Sequence, residues 1–369
     1  MTKKHKISFC TVCMNRLHYL KQTLPKNIED NLGYGYVEFV VLNYNSEDEL
    51  DEWIKMKMHK YIDSGILNYF STSDSKVFQM SHSKNVVARC ATGEIICNID
   101  ADNFTGEAFA EYINEEFNKD ENIFVTTDNS NSLSDCFGRI CVKKQHFQKC
   151  RGYDEKMQQY GFEDIDFKNR LEFLNLKKKL IDNKKYLSAI QHGDEERLSG
   201  KKAFSTLNKI YIYPINHASF ILILLFKNLE YFTGKVIKNR HKHSESVDNL
   251  FSENRLFQYE YILQKNKWFR GRWSNGIGGE ILKKISVDFS NKTTVYQNLK
   301  KSNVDTIIKD FPFSEIEQPA EKLNLMMFFH QITNRIKMLK NKEKSLVYVN
   351  RCFGRAKLIK NFKEKIELK

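Results

Sequence analysis

Through the first 200 residues, short apolar runs alternate with stretches whose apolar positions recur every three or four residues. The first pattern fits a buried strand and the second an amphipathic helix. Strands are predicted over Ile7–Cys13, Val37–Leu42, Ile66–Phe70 and Glu94–Ile99. Helices are predicted over Arg16–Ile28, with Leu17, Leu20 and Leu24 on one face, over Ser83–Ala91 before Gly93, and over Phe167–Leu176. Ser46 followed by Glu47, Asp48 and Glu49 reads as a capped, acidic start to a helix reaching about Ile62. Repeated strand–helix units imply a mostly parallel sheet with helices on both faces. In such sheets ligands bind beyond the carboxyl ends of the strands.

After Gly200 the alternation stops. Ile210–Phe232 is apolar and aromatic and reads as a core helix, with a ridge lying in a membrane interface as the alternative. Leu323–Leu339 has helical spacing with Arg335, Lys337 and Lys340 toward its end. A faint repeat aligns 278–295 with 354–368; chance similarity of lysine-rich stretches and two related β-units are both open.

The chain has 369 residues, enough for two domains at roughly 100–200 residues each. Residues 1–200 carry 27 basic and 31 acidic side chains, whereas 201–369 carry 32 and 15. The contrast places a boundary near Gly200, between a catalytic domain over 1–200 and a basic accessory domain over 201–369. The basic half suits an anionic partner, either a membrane surface, a glycan or a nucleic acid, or else a solvated lysine-rich face. No zinc finger or RNA-binding motif accompanies it, so nucleic acid is not expected. No secretory leader or membrane-length apolar run is evident, which leads to an expected cytoplasmic setting with reduced thiols. Cys10 and Cys13 form a lone CxxC inside a strand, which does not make a zinc site.

Three groups carry candidate chemistry. Asp100 and Asp102 follow a core strand, where two carboxylates repel unless a cation or water separates them. Such hard oxygen ligands suit Mg²⁺ or Mn²⁺ carrying a diphosphate. Glu163 and Asp164 follow Gly161 at a helix start, as dipole-stabilised acids or as a carboxylate base. His192 lies in a polar loop and is either structural or a Mn²⁺ ligand shared with a carboxylate.

The motif order resembles a GT-A glycosyltransferase of the family 2 type. It runs from Asn15-Arg16 through Asn43-Tyr44-Asn45-Ser46, Asn85 and Asp100-Ala101-Asp102-Asn103 to His192. Asn15-Arg16 with Leu20-Lys21, and Gly152-Tyr153-Asp154-Glu155 with Gly161-Phe162-Glu163-Asp164, also resemble the β-1,4-galactosyltransferase group. The resemblance covers roughly residues 5–195. It implies a nucleotide-sugar-binding, Rossmann-like mixed sheet and a metal-dependent inverting transferase. It further implies a UDP-sugar donor and a glycan acceptor, lipid-linked by analogy with surface polysaccharide or lipooligosaccharide synthesis at the inner membrane face. By the same resemblance Asp102 and His192 bind the metal, and Asp100 contacts the ribose or the metal shell. Arg16 faces the diphosphate, Asn43 the nucleobase, and Asn85 belongs to the donor site. Asp164 is the base, while Glu163 holds the acceptor or orients the base. Asn43 replaces an Asp common in family 2, and Tyr160 and Phe162 stand where Trp and Gly are frequent. A nucleotidyltransferase would account for Asp100 and Asp102 but gives Glu163, Asp164 and His192 no role. A non-catalytic glycan-binding scaffold leaves all three motifs unexplained.

Overall fold

The computed structural model describes residues 3–127, 135–198, 205–216, 219–240, 259–272 and 314–369. The described chain divides into two compact units, 1–193 with 337–369, and 194–336.

The first unit opens with β1 (Ile7–Cys13), α1 (Leu17–Asn31), β2 (Val37–Tyr44), α2 (Leu50–Lys57), α3 (His59–Asp63) and β3 (Leu67–Thr72). It continues through α4 (Met80–Cys90), β4 (Ile95–Asn98), β5 (Asn103–Phe104), α5 (Phe109–Lys119) and β6 (Ile123–Thr126). Then come β7 (Ile140–Lys143), α6 (Lys144–Lys149), α7 (Glu163–Phe173), β8 (Lys177–Leu180) and β9 (Ser188–Ala189). β1 pairs parallel with both β2 and β4, and β3 pairs parallel with β2. β7 runs antiparallel to β4 and β6, which makes the sheet mixed.

Side chains alternate across each strand. Ile7, Phe9, Val41 and Cys97 therefore enter one core with α1, α2 and α5. Cys10, Val40, Leu42 and Ile96 enter the other with α4 and α7. Cys10 and Cys13 consequently face opposite layers and cannot share an ion.

Ser46 does not cap a helix. Its hydroxyl instead accepts from the Asn15 backbone at 2.9 Å, and the expected single helix is split into α2 and α3 at Met58. Asp48 accepts from the Leu17 amide at 3.0 Å, so the loop after β2 satisfies the start of α1.

The second unit holds α8 (Asp194–Leu198), β10 (Leu207–Asn216), β11 (Ser219–Phe226), β12 (Glu230–Arg240), β13 (Tyr259–Leu263), β14 (Phe269–Arg272) and β15 (Ser314–Glu315). The segment 210–232 is thus a strand meander and not a helix. Its β-branched and aromatic run broken at 227–229 suits strands. Every residue of β11 is buried, which leaves no apolar ridge there to lie in an interface. α9 (Pro319–Glu343) contains the predicted Leu323–Leu339.

The hairpin β16 (Ala356–Lys360) and β17 (Glu364–Leu368) ends the chain. β16 pairs antiparallel with β3, Ile359 opposite Ser71, so these residues complete the first unit's sheet and do not belong to a separate C-terminal region. The nine strands lie in the order β17-β16-β3-β2-β1-β4-β7-β6-β8. The earlier half of the faint repeat, 278–295, lies outside the described residues.

Candidate active site

β4 delivers Asp100 and Asp102 to the carboxyl end of the sheet. Asn98 donates to Asp100 Oδ1 at 3.1 Å and to the Gly138 carbonyl at 3.0 Å, which orients the first carboxylate. Asp102 Oδ1 accepts from Asn103 at 2.8 Å, and Asp102 Oδ2 lies 2.7 Å from His192 Nε2. β5 pairs with β9, and the Ile190 amide donates to the Asp102 carbonyl at 2.9 Å. This pairing brings His192 to a carboxylate ninety positions away. Buried Arg139 braces the same corner by donating to the Phe104 carbonyl at 2.8 Å and to the Tyr186 carbonyl.

A third acid joins them. One ligand atom each from Asp102, Asp135 and His192 lie within 4.8 Å of one another. Two carboxylates and an imidazole are a donor set that fits Mn²⁺ and, less selectively, Mg²⁺. Sequence reasoning missed Asp135, because a single Asp in a polar loop carries no pattern.

Glu163 and Asp164 open α7. The turn before them places Gly161 at φ +85° and Phe162 at φ +67°, the left-handed region that favours glycine and strains phenylalanine. Buried Lys84 from α4 donates to Asp164 Oδ1 at 2.8 Å and to Glu163 Oε1 at 3.1 Å. Among the described residues, Glu163 Oε2 has no hydrogen-bond partner. Burial pushes the Asp164 carboxyl up to about 6 against the opposing pull of Lys84. Burial likewise lifts Asp100 to about 6, with Lys84 opposing and Asp102 and Asp164 adding to the rise. Burial alone would lower Lys84, but the surrounding acids outweigh it and hold the ammonium well above its ordinary value.

The two carboxylates converge over Gly138. A Cβ there would lie 2.6 Å from Asp100 Oδ2 and 3.2 Å from Asp164 Oδ2. A cleft of about 320 Å³ opens on this point, lined by Lys84, Asp100, Asp135 and Asp164, with Phe137, Tyr160 and Phe162 as its aromatic wall.

The remaining candidates separate. Asn43 lines a second cleft, of about 580 Å³, between the ends of β2 and β3 and the hairpin residues Lys357 and Lys365. Its amide donates to Asp51 at 2.8 Å, and its carbonyl accepts from the Ser46 amide at 2.7 Å. Arg16 lines neither cleft and donates to the Asn15 carbonyl at 3.2 Å. Asn85 lines neither cleft. It is wholly buried, donates to the Tyr153 carbonyl and to Glu155, and accepts from the Tyr153 amide. All three contacts brace the turn after Gly152.

Residues 126–193 match a family model described as the N-terminal domain of galactosyltransferase. The similarity is confined to this segment. It contains Asp135, Glu163, Asp164 and His192, and the sheet it contributes to is mixed, with helices on both faces. Solved structures similar to the chain include S. aureus TarS in complex with UDP, at 13% identity and a TM-score of 0.42, covering 52% of this chain and 62% of that one. Another is the mannosyltransferase PcManGT from Pyrobaculum calidifontis with GDP-Man and Mn²⁺, at 16% identity and TM-score 0.42, covering 52% and 57%. A third is a Drosophila β-1,4-galactosyltransferase 7 variant with manganese, UDP-Gal and xylobiose, at 14% identity and TM-score 0.36, covering 54% and 75%. The chain spans about three fifths of the length of the first two. No curated protein sequence matches it.

Proposed function

We propose that this chain is a metal-dependent inverting glycosyltransferase that moves a sugar from a nucleotide-sugar donor, a UDP-sugar first among candidates, to a glycan hydroxyl. The carrying observation is the pairing of two groups at one sheet end, the Asp102–Asp135–His192 cluster and the Glu163–Asp164 pair held by Lys84. A cluster alone would bind an ion, and an acid pair alone would start a helix. Together they provide for both ends of a substitution.

Asp102, Asp135 and His192 would hold Mn²⁺ or Mg²⁺, which when bound neutralises charge on the leaving diphosphate. Asp164 acts as the general base. Lys84 occupies its Oδ1, and Oδ2 faces the cleft at Gly138 and accepts the acceptor proton. As that proton transfers, the acceptor oxygen bonds to the anomeric carbon. The bond from that carbon to the diphosphate oxygen breaks, and its electron pair leaves with the nucleoside diphosphate. Attack opposite the departing group inverts the configuration. Glu163, with Oε2 unpartnered, orients the acceptor. Asn43 holds the nucleobase edge in the second cleft.

Thermal unfolding with UDP, GDP, CMP or dTDP, each with and without Mn²⁺, tests the reading, since a ligand of the native state raises apparent stability. UDP is expected to raise Tm only when Mn²⁺ is present. No metal-dependent rise with any of the four contradicts the proposal.

A further inference from the structure

Lys84 is a lysine on the inner face of α4, with 4% of its side chain exposed where it meets the cleft. A buried ammonium is costly unless acids answer it. Here two do, Asp164 Oδ1 at 2.8 Å and Glu163 Oε1 at 3.1 Å, and the Tyr153 ring lies 5.2 Å from the same nitrogen. The neighbouring Asn85 ties α4 to the turn after Gly152, so the helix that carries Lys84 is anchored.

We infer that Lys84 is the positioning residue of this site, a buried cation that fixes one oxygen of Asp164 and keeps the other ionised and turned toward the acceptor. The inference rests on the transferase reading above. Without Lys84, the carboxylates of Asp100, Glu163 and Asp164 would lose the cation that opposes their mutual repulsion, with Lys168 from α7 left to act on Asp164. Lys168 also donates to the Phe137 carbonyl at 3.2 Å. Like charges so placed drive one another toward the protonated form. A protonated Asp164 cannot accept a proton, so Lys84 acts on the reaction through the base and not through the donor. The cavity geometry agrees, because the Lys84 nitrogen is aimed at the acid pair.

The test compares wild type with Lys84→Met and Lys84→Arg, all full length with Mn²⁺, using whichever nucleotide sugar the wild type turns over. The readouts are the acidic limb of the kcat/KM–pH profile and the Kd for UDP. An opposite charge at this range shifts a carboxyl by about 1–3 pH units, so Lys84→Met should move the limb upward by about one unit or more. Turnover at pH 6 should then fall by about fivefold or more, while the Kd for UDP stays within about threefold. Lys84→Arg keeps the charge and should return the limb toward its original position. If Lys84→Met does not fold, Lys84→Gln, which keeps a donor but loses the charge, should show the same upward shift. An unmoved limb in the folded neutral variant overturns the inference. So does a loss confined to UDP affinity, which would make Lys84 a donor ligand. A wild type that turns over no nucleotide sugar overturns the transferase reading itself, and the role of Lys84 falls with it.

Discussion

At the scale of single residues, the acids of the cleft are buried, and Lys84, with Lys168 on Asp164, opposes the rise that burial causes. Asp164 keeps only 17% of its side chain exposed, and its carboxyl titrates near 6 instead of in the ordinary carboxylate range. The base must be ionised to accept a proton, so kcat/KM is expected to fall as pH drops through about 6. Asp164→Asn preserves shape but cannot take the proton. It should lower kcat by about 10²–10⁴ while UDP binding is unchanged, since the loss is confined to the transition state. Near-normal turnover would move the base to another group. The sequence singled out Asp102, Asp164 and His192 because carboxylates and imidazole at strand and helix ends are chemically conspicuous, and the structure sets His192 against Asp102 and Asp164 on the cleft. Lys84 and Asp135 were not singled out, because a lysine in a helix and an aspartate in a loop ordinarily face water. Asn85 was singled out as well, and the structure sets its amide against the turn after Gly152, a contact that the sequence does not distinguish from one to a ligand.

At the scale of elements, the parallel strands were legible from their unbroken apolar runs, and α1 and α9 from their helical spacing. The segment 210–232 was not, because a continuous apolar run fits a buried strand as well as a buried helix and its turn at 227–229 is short. The pairing of β5 with β9 was also hidden, since two-residue strands leave no periodicity, yet it is what brings His192 to Asp102. The loop before β7 makes the tightest demand. Gly138→Ala would place a methyl 2.6 Å from Asp100 Oδ2, so either the loop or the carboxylate must shift. Overpacking of this kind costs about 1–3 kcal/mol, which should appear as a lowered denaturation midpoint together with reduced Mn²⁺-dependent donor binding. A stability and a donor affinity both equal to wild type would show that Asp100 has room the geometry denies it.

At the scale of the whole molecule, the sequence does not reveal that the chain returns after residue 337 to extend its first sheet, because strand order is fixed by long-range pairing. The basic excess over 201–369 is real whatever the division. Among the described residues no helix is long and apolar enough to cross a membrane. A lipid-linked acceptor would be reached more readily by a protein held near anionic lipid, at about 1 kcal/mol per basic residue close to the surface. Flotation should therefore recover the protein with anionic but not neutral vesicles, less so as salt rises, and recovery with neither at low salt would leave the lysines merely solvated. A divalent ion at Asp102 and His192 is proposed to serve transfer from a nucleotide sugar. The most direct measurement is nucleoside diphosphate release from UDP-sugars by wild type, Asp102→Asn and His192→Ala, in Mn²⁺ and in excess EDTA. Release by wild type in Mn²⁺, abolished by EDTA, restored by added Mn²⁺ and strongly reduced in both variants, is the result predicted. Release that persists in EDTA, or that both variants retain in full, would contradict the account.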